Sequence, residues 1–167
     1  MDSPPERVTD TNFWIDLHVA HLLDEVFRLP CQWVIPDIVL AELQEPDPRT
    51  LRDRGLKEAE LSGELVAEIS GLATRYPKPS LKDLSALVLA NSTGITLITG
   101  DGDLRAAAEN EGVDVHGTLW VLDEMVSTQI IESRRAADAL DAMVQQGRRL
   151  PEPDVEARLR RWRRATR

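Results

Sequence analysis

The stretch Ile95-Thr96-Leu97-Ile98-Thr99-Gly100-Asp101-Gly102-Asp103 carries the pattern that decides the fold. Its first five residues are apolar or β-branched and are followed by turn residues, which is typical of a buried strand in a parallel sheet. Ligands of open α/β sheets bind beyond the carboxyl ends of the strands. Asp101 and Asp103, which follow this strand at once, therefore stand where a functional group is expected.

Further strands are predicted on both sides of this segment. Gln32-Trp33-Val34-Ile35-Pro36 has a similar composition, and Val113 to His116 resembles a third strand. Glu6 to Thr9 and a short stretch around Leu56 to Leu61 carry weaker strand patterns.

Helices are predicted between these strands. Their starts and stops are marked by residues such as Ser80 before, and Gly94 after, a helical pattern. The predicted helices are Phe13 to Phe27, Pro36 to Gln44, Ser62 to Arg75, Leu81 to Ser92, Leu104 to Glu111, Thr118 to Val126, Glu132 to Gln146 and Pro153 to Ala165. Strands that alternate with helices predict a three-layer α/β/α sandwich with a mainly parallel central sheet, followed by a helical C-terminal extension.

Charge divides the chain into an acidic body and a basic tail. The 167 residues have a formal net charge of −9, but residues 148 to 167 carry eight arginines against three acidic residues. That leaves +5 in the tail and −14 in the rest of the chain. Because nucleic-acid binding relies on cations that displace counterions, a nucleic-acid substrate requires something to offset the acidic body.

The last predicted helix places Val155, Leu159 and Trp162 on one stripe, which we expect to dock on the body or on a second subunit. Its arginines then lie mostly on the open face. They complement the helix dipole or form a surface that contacts phosphate groups. The residues considered for such a nucleic-acid surface are Arg105, Arg158, Arg160, Arg161 and Arg164.

More carboxylates stand beside strand ends. Asp10 follows the first strand, Glu42 lies on the helix begun after the second, and Asp83 occupies the first turn of its helix. Each has an ordinary alternative explanation, since aspartates cap helices and Ser80 with Asp83 matches a capping box. However, strand ends that share one sheet edge bring their aspartates together. Converging carboxylates repel one another unless a cation lies between them, and oxygen ligands suit Mg²⁺ or Mn²⁺.

Four segments in order resemble the PIN-domain nucleases and span about seven-tenths of the chain. They are Val8-Thr9-Asp10-Thr11-Asn12, Ile35-Pro36-Asp37-Ile38-Val39-Leu40-Ala41-Glu42-Leu43, Ser80-Leu81-Lys82-Asp83-Leu84-Ser85-Ala86-Leu87-Val88-Leu89-Ala90 and Leu97-Ile98-Thr99-Gly100-Asp101-Gly102-Asp103-Leu104-Arg105. The continuation from Gly112 to Leu122 resembles the subgroup with a further strand and helix. The first strand is less apolar than is usual in the family. The resemblance implies a PIN-like domain over residues 1–130 and a helical extension over residues 131–167.

The resemblance also implies roles for individual residues. The acidic quartet of the family corresponds to Asp10, Glu42, Asp83 and Asp101, and Asp103 matches an auxiliary acidic position. Asn12 and Thr99 match polar positions that in the family orient the carboxylates or a metal-bound water. The implied activity is hydrolysis of RNA phosphodiesters with Mg²⁺ or Mn²⁺ as cofactor, to give 5′-phosphate and 3′-hydroxyl ends. The metal ligands would come from Asp10, Asp83, Asp101 and Asp103, with one ion or two.

Other functions remain open at this point. Many PIN domains resemble toxins held by an antitoxin, so an antitoxin protein and a homodimer are possible partners. A catalytically silent binding module would use the acidic pocket to receive a basic partner segment. A metal-dependent phosphatase or a topoisomerase-primase-like domain would share the Asp101-Gly102-Asp103 pair, but not the order of Asp10 and Glu42.

Composition excludes several classes of protein. Apolar residues make up 42% and charged residues 29% of the chain, as in globular domains. No apolar run approaches the roughly 18 to 20 residues of a membrane-spanning helix. The first residues lack the basic and apolar regions of a secretory signal, so we expect a cytoplasmic protein without membrane contact. Cys31 is the only cysteine, which excludes an intramolecular disulfide.

Overall fold

A five-stranded parallel sheet forms the centre of the fold in the computed structural model, which describes residues 2–166. The strands lie in the order β3-β2-β1-β4-β5. Their bounds are β1 (Glu6–Thr9), β2 (Gln32–Pro36), β3 (Lys57–Ala59), β4 (Thr96–Ile98) and β5 (Val115–His116). All five lie where a strand is expected from the sequence, including the weakly marked β1 and β3.

Ten helices among residues 2–166 complete the fold. They are α1 (Thr11–Val19), α2 (Leu23–Val26), α3 (Asp37–Leu40), α4 (Pro48–Asp53), α5 (Gly63–Arg75), α6 (Leu81–Thr93), α7 (Gly102–Asn110), α8 (Thr118–Ser127), α9 (Ser133–Gln145) and α10 (Glu152–Arg164).

Two hydrophobic clusters cover the two faces of the sheet. Successive side chains of a strand point to opposite faces. In β2, Trp33 and Ile35 accordingly join the cluster that contains α1, α8, α9 and α10, whereas Val34 joins the cluster that contains α5, α6 and α7. In β4, Ile98 and Leu97 divide in the same way. The predicted three-layer α/β/α architecture is confirmed.

Strand β1 lies at the point where the chain changes direction across the sheet. It pairs with β2 on one side and with β4 on the other, and Thr9 is aligned with Ile98. The chain first builds β2 and β3 on one side and later β4 and β5 on the other. The residues after β1 and β4 therefore lie side by side at the carboxyl edge of the sheet, where open α/β folds bind their ligands.

The first long helix predicted from the sequence is interrupted. Instead of one helix from Phe13 to Phe27, α1 and α2 are separated at His21, which has a φ of 57°. The carbonyl of His21 accepts a hydrogen bond of 2.8 Å from Arg135. That contact comes from a distant part of the chain, so no local glycine or proline marks the break.

The second predicted helix is also shorter than expected. Helix α3 ends at Leu40, and Glu42 lies in the following turn, where its amide donates to the carbonyl of Val39 at 3.2 Å. Helix α4 follows and has no counterpart among the predicted helices. Its start is nevertheless marked in the sequence, because Asp47 caps it and Pro48 occupies its first turn.

The C-terminal helices pack on the core of the same chain. Val155 and Trp162 are buried in one cluster with Phe13 and Trp14, and Leu159 is partly buried beside them. The stripe predicted on the last helix is therefore covered by the protein itself. A homodimer would have to use a different surface.

Within residues 2–166, none of the helices has the length and the apolar composition needed to traverse a bilayer.

Candidate functional site

Asp10 is a fully buried carboxylate at the end of β1. It caps α1 by accepting a hydrogen bond of 3.0 Å from the amide of Phe13. The hydroxyl of Thr99 and, at 3.5 Å, the amide of Asn12 donate to its other oxygen. Burial raises the pKa of Asp10 from 3.8 to about 6, and the charge of Asp83 adds to the increase, while the hydrogen bonds oppose it. Asp10 thus ionises at a higher pH than an ordinary aspartate, and its buried charge carries a cost that a nearby cation would reduce.

Thr99 connects the two central strands at this edge. Its side chain is fully buried, donates to Asp10 and accepts a hydrogen bond of 2.9 Å from the amide of Asp101. One hydroxyl thereby holds the carboxylate that follows β1 and the backbone that follows β4. This position matches the orienting role expected for Thr99.

Asp101 caps α7 and lies at the mouth of the site. Its Oδ1 accepts hydrogen bonds from the amides of Asp103 and Leu104, at 2.8 and 3.2 Å. Its Oδ2 accepts none from the described residues and stays free for a ligand. The Asp103 side chain is exposed beside it.

Asp83 reaches the site from the first turn of α6. It forms the capping box expected with Ser80, whose amide donates to Asp83 Oδ2 at 3.0 Å. Its Oδ1 has no hydrogen-bond donor among residues 2–166. Burial raises the pKa of Asp83, and the charges of Asp101 and Glu42 raise it further. The Asp83 side chain therefore both caps α6 and lies near the other carboxylates.

Glu42 forms the outer member of the acidic set. Its side chain is half exposed and makes an ion pair with Lys82, one residue before Asp83. Lys82 thus places a positive charge next to the carboxylates from within the chain.

The four acidic residues act on one another through Asp83, whose charge raises the pKa of Asp10 and whose own pKa responds to Asp101 and Glu42. An all-oxygen donor set of this kind fits a hard divalent cation such as Mg²⁺ or Mn²⁺. Among residues 2–166, no three acidic, histidine or cysteine side chains already stand in an arrangement that could hold an ion. The donors thus fit a metal chemically, but their side chains must rotate to share one.

A second buried group, which the sequence analysis does not identify, supports the floor of the site. Asp16 is almost fully buried and accepts hydrogen bonds from Thr118, at 2.7 Å, and from Arg148 Nε, at 2.6 Å. A second nitrogen of Arg148 donates to the side chain of Asn12 at 3.3 Å. Burial raises the pKa of Asp16, and the Arg148 contact opposes the increase. The only local signal in the sequence for this group is that Asp16 interrupts the otherwise apolar run Phe13 to Leu17.

Gly100 makes room for this arrangement. A Cβ atom at position 100 would lie 2.8 Å from Asp16 Oδ2 and 3.1 Å from Asn12 Cβ. Both neighbours are held by hydrogen bonds and cannot move away easily. The close approach of the strand-end loop to α1 therefore requires glycine here.

A cleft of about 570 Å³ lies between the loop after β4 and the C-terminal extension. It is lined by Asn12, Gly100, Asp101 and Asp103, by Arg105 of α7, and by the segment Gly147 to Pro151 with Arg148 and Arg149. Of the acidic set, Asp101 and Asp103 thus share one cleft with three arginines.

Two of the four arginines proposed for α10 are bound to an acidic residue of the same chain. Arg158 and Arg161 both pair with Asp123 of α8, at 2.7 and 2.6 Å. Arg160 and Arg164 make no ion pair with residues 2–166 and line a shallow depression on the outer side of α10. Arg105 instead lines the cleft next to Asp103.

Comparison with known proteins identifies a family and a fold for this chain. A family model described as a PIN domain, DUF3368, matches residues 6–164. The chain is also similar to the crystal structure of PAE2754 from Pyrobaculum aerophilum, with 18% sequence identity and a TM-score of 0.52. That match covers 74% of this chain and 98% of the other, and at this identity it supports the fold only. A search among curated proteins gave no match.

Proposed function

Because the chain belongs to the PIN-domain family, whose members are generally nucleases that use divalent metals, we propose that it is a metal-dependent endoribonuclease. The observation that carries this proposal is that the Thr99 hydroxyl bonds both buried Asp10 and the amide of Asp101, while the charge of Asp83 adds to the raised pKa of Asp10. Each of the three carboxylates also caps a helix, but capping alone does not require the caps to lie within reach of one another's charge.

Each side chain has a distinct part in the proposed site. Asp10, Asp83 and Asp101 would hold Mg²⁺ or Mn²⁺, with Asp103 and Glu42 at its outer side. When bound, the ion supplies a Lewis acid that activates water and neutralises charge on the phosphate. Thr99 and Asn12 fix the Asp10 carboxylate by donating hydrogen bonds to it. Their role is positioning, because they keep that carboxylate directed toward the space between β1 and β4.

The test is cleavage of structured and unstructured RNA by the purified chain, with Mn²⁺, with Mg²⁺ and with a chelator. We expect endonucleolytic products only with metal and a loss of at least about 100-fold in rate for Asp101→Asn. Asp114→Asn is the matched control, since Asp114 accepts from Thr96 at the opposite end of β4. Equal rates for wild type and Asp101→Asn would contradict the proposal.

Membership of a toxin–antitoxin pair is the finer form of this proposal. It is supported by the acidic body, which would attract an arginine-bearing antitoxin segment. Inhibition of RNA cleavage by the protein encoded next to this chain would support it, and the lack of any such inhibitor would contradict it.

The second candidate is a catalytically silent module that receives a basic segment of a partner in the acidic pocket. The Lys82–Glu42 ion pair favours it, because this carboxylate already accepts a cationic side chain. The two functions differ in metal affinity: a nuclease binds Mn²⁺ in the free state, whereas a silent binding module does not need to.

A further inference from the structure

We propose that the segment Gly147 to Pro151 of the C-terminal extension forms a phosphate-binding wall of the cleft, in which Arg148, positioned by buried Asp16, contacts the RNA backbone. This inference rests on the proposed function. It assigns to the extension a part in substrate binding.

The first support is charge. Although the chain has a net charge of −9, the cleft is lined by three arginines and two aspartates. Arg105 and Arg149 make no ion pair with residues 2–166, unlike Arg158, Arg161 and Arg163 of α10, which are all paired. Unpaired cations in the same cleft as Asp101 and Asp103 offset the repulsion between the protein body and a polyanion.

The second support is the geometry of Arg148. Its Nε donates to Asp16 and one terminal nitrogen to Asn12, while the other terminal nitrogen has no hydrogen-bond acceptor among the described residues. The guanidinium is fixed on one side and open on the other. A guanidinium held in this way can donate from its free terminal nitrogen to a phosphate oxygen.

The third support is the burial of the residue that holds it. Asp16 is 2% exposed and also accepts from Thr118, the first residue of α8. Asp16, which belongs to α1, thus connects this helix to α8 and to the segment after α9. Asp16 does not line the cleft and acts through Arg148, so it is a positioning residue.

Asn12 connects the wall to the metal site. Its side-chain nitrogen donates to Asp10, and its side-chain oxygen accepts from Arg148. A phosphate bound to Arg148 would therefore be linked to the Asp10 carboxylate through a single residue, Asn12.

The test compares two variants that leave no unpaired charge next to Asp16. Arg148→Lys keeps a cation but lacks the planar fork, and Asp16→Asn with Arg148→Ala removes both charges. Arg134→Ala is the matched control, because Arg134 is an exposed arginine in the first turn of α9. Arg148 follows the other end of that helix, roughly 20 Å away for 13 residues.

Binding is measured by the fluorescence anisotropy of a labelled single-stranded RNA, with Ca²⁺ in place of Mg²⁺. We expect affinity to fall about tenfold in the double variant and less in Arg148→Lys. The slope of log K against log salt should decrease by about 0.7, as for one lost phosphate contact on a single strand. In cleavage assays KM should rise while kcat changes little, a split that a general loss of folded protein would not produce.

The outcomes separate this inference from the nuclease proposal. If wild type cleaves RNA and the Arg148 variants bind and cleave equally well, the phosphate wall is wrong and the nuclease stands. If RNA binding depends on Arg148 but no metal supports cleavage, the wall stands and the nuclease is wrong. Failure of wild type to bind RNA, or Arg148-dependent binding of polyglutamate but not of RNA, overturns the inference.

Discussion

The hydroxyl of Thr99 donates a hydrogen bond to the buried carboxylate of Asp10, 89 residues earlier in the chain. The same hydroxyl accepts from the amide of Asp101. The two strand ends that frame the proposed metal site are thus joined by one side chain. Replacing Thr99 by valine, which has a similar shape, should disturb both ends at once.

For Thr99→Val we expect the pKa of Asp10 to rise above about 6, since this hydrogen bond lowers it. The free energy of unfolding should fall by about 1–3 kcal/mol, because the amide of Asp101 and the Asp10 carboxylate both lose a partner. Carboxylate NMR titration and urea unfolding measure the two effects. Thr99→Ser keeps the hydroxyl and should resemble wild type. If the serine variant behaves like the valine variant, the hydroxyl is not the cause.

The burial of Asp10 predicts a stability that depends on pH. Its pKa is about 6 in the folded chain against an ordinary 3.8, so between these values the folded state binds more protons than the unfolded state. The free energy of unfolding contributed by Asp10 therefore decreases as pH rises from about 4 to about 6. Above that range the buried charge costs on the order of 3 kcal/mol without metal.

Asp10→Asn removes this cost. In metal-free buffer its melting temperature relative to wild type should increase between about pH 4 and about pH 7, by several degrees. Asp114→Asn, at the other end of the sheet, should show no such trend. Thermal unfolding of the three proteins across the pH range measures the difference, and an Asp10→Asn effect that is independent of pH would argue against a raised pKa.

Gly100→Ala should destabilise the chain and lower activity together. The new Cβ would lie 2.8 Å from Asp16 Oδ2, which Thr118 holds in place, and 3.1 Å from Asn12. Overpacking of this kind typically costs about 1–3 kcal/mol. Gly102→Ala, two residues away, meets nothing within 4 Å and serves as the control. Unfolding in urea should separate the two variants; equal stability would mean that the loop after β4 can move.

The pair of Asp16 and Arg148 predicts strong coupling in a double-mutant cycle. Arg148→Ala leaves a buried carboxylate without its cation and should cost about 3–5 kcal/mol of unfolding free energy. Adding Asp16→Asn removes that charge and should restore a large part of the loss. The cycle is measured by urea unfolding at neutral pH. Additive losses from the two single changes would show that the pair is not coupled.

The sequence predicts the sheet well because its strands are short apolar runs that end in polar residues. Leu97 and Ile98, for example, divide between the two faces as the strand period requires. The places of Asp10 and Asp101 follow from those strand ends. Local patterns thus suffice wherever a residue is fixed by its own strand.

Local sequence patterns do not predict features that depend on contacts between residues far apart in the chain. At the break between α1 and α2 the carbonyl of His21 accepts from Arg135, 114 residues away, and the support of the site depends on Asp16 and Arg148, which are 132 residues apart. Neither partner can be recognised from its neighbours in the chain. Arg158 and Arg161 likewise form ion pairs with Asp123 of α8, and the charge pattern of α10 does not identify Asp123 as their partner.

Calorimetric titration of the metal-free chain with Mn²⁺ tests most directly whether Asp10, Asp83 and Asp101 form one cation site. We expect heat of binding in wild type and in Asp114→Asn, and affinity lowered by at least about tenfold in Asp10→Asn and in Asp83→Asn. Absence of binding in wild type, or equal affinity in all four proteins, would contradict the account.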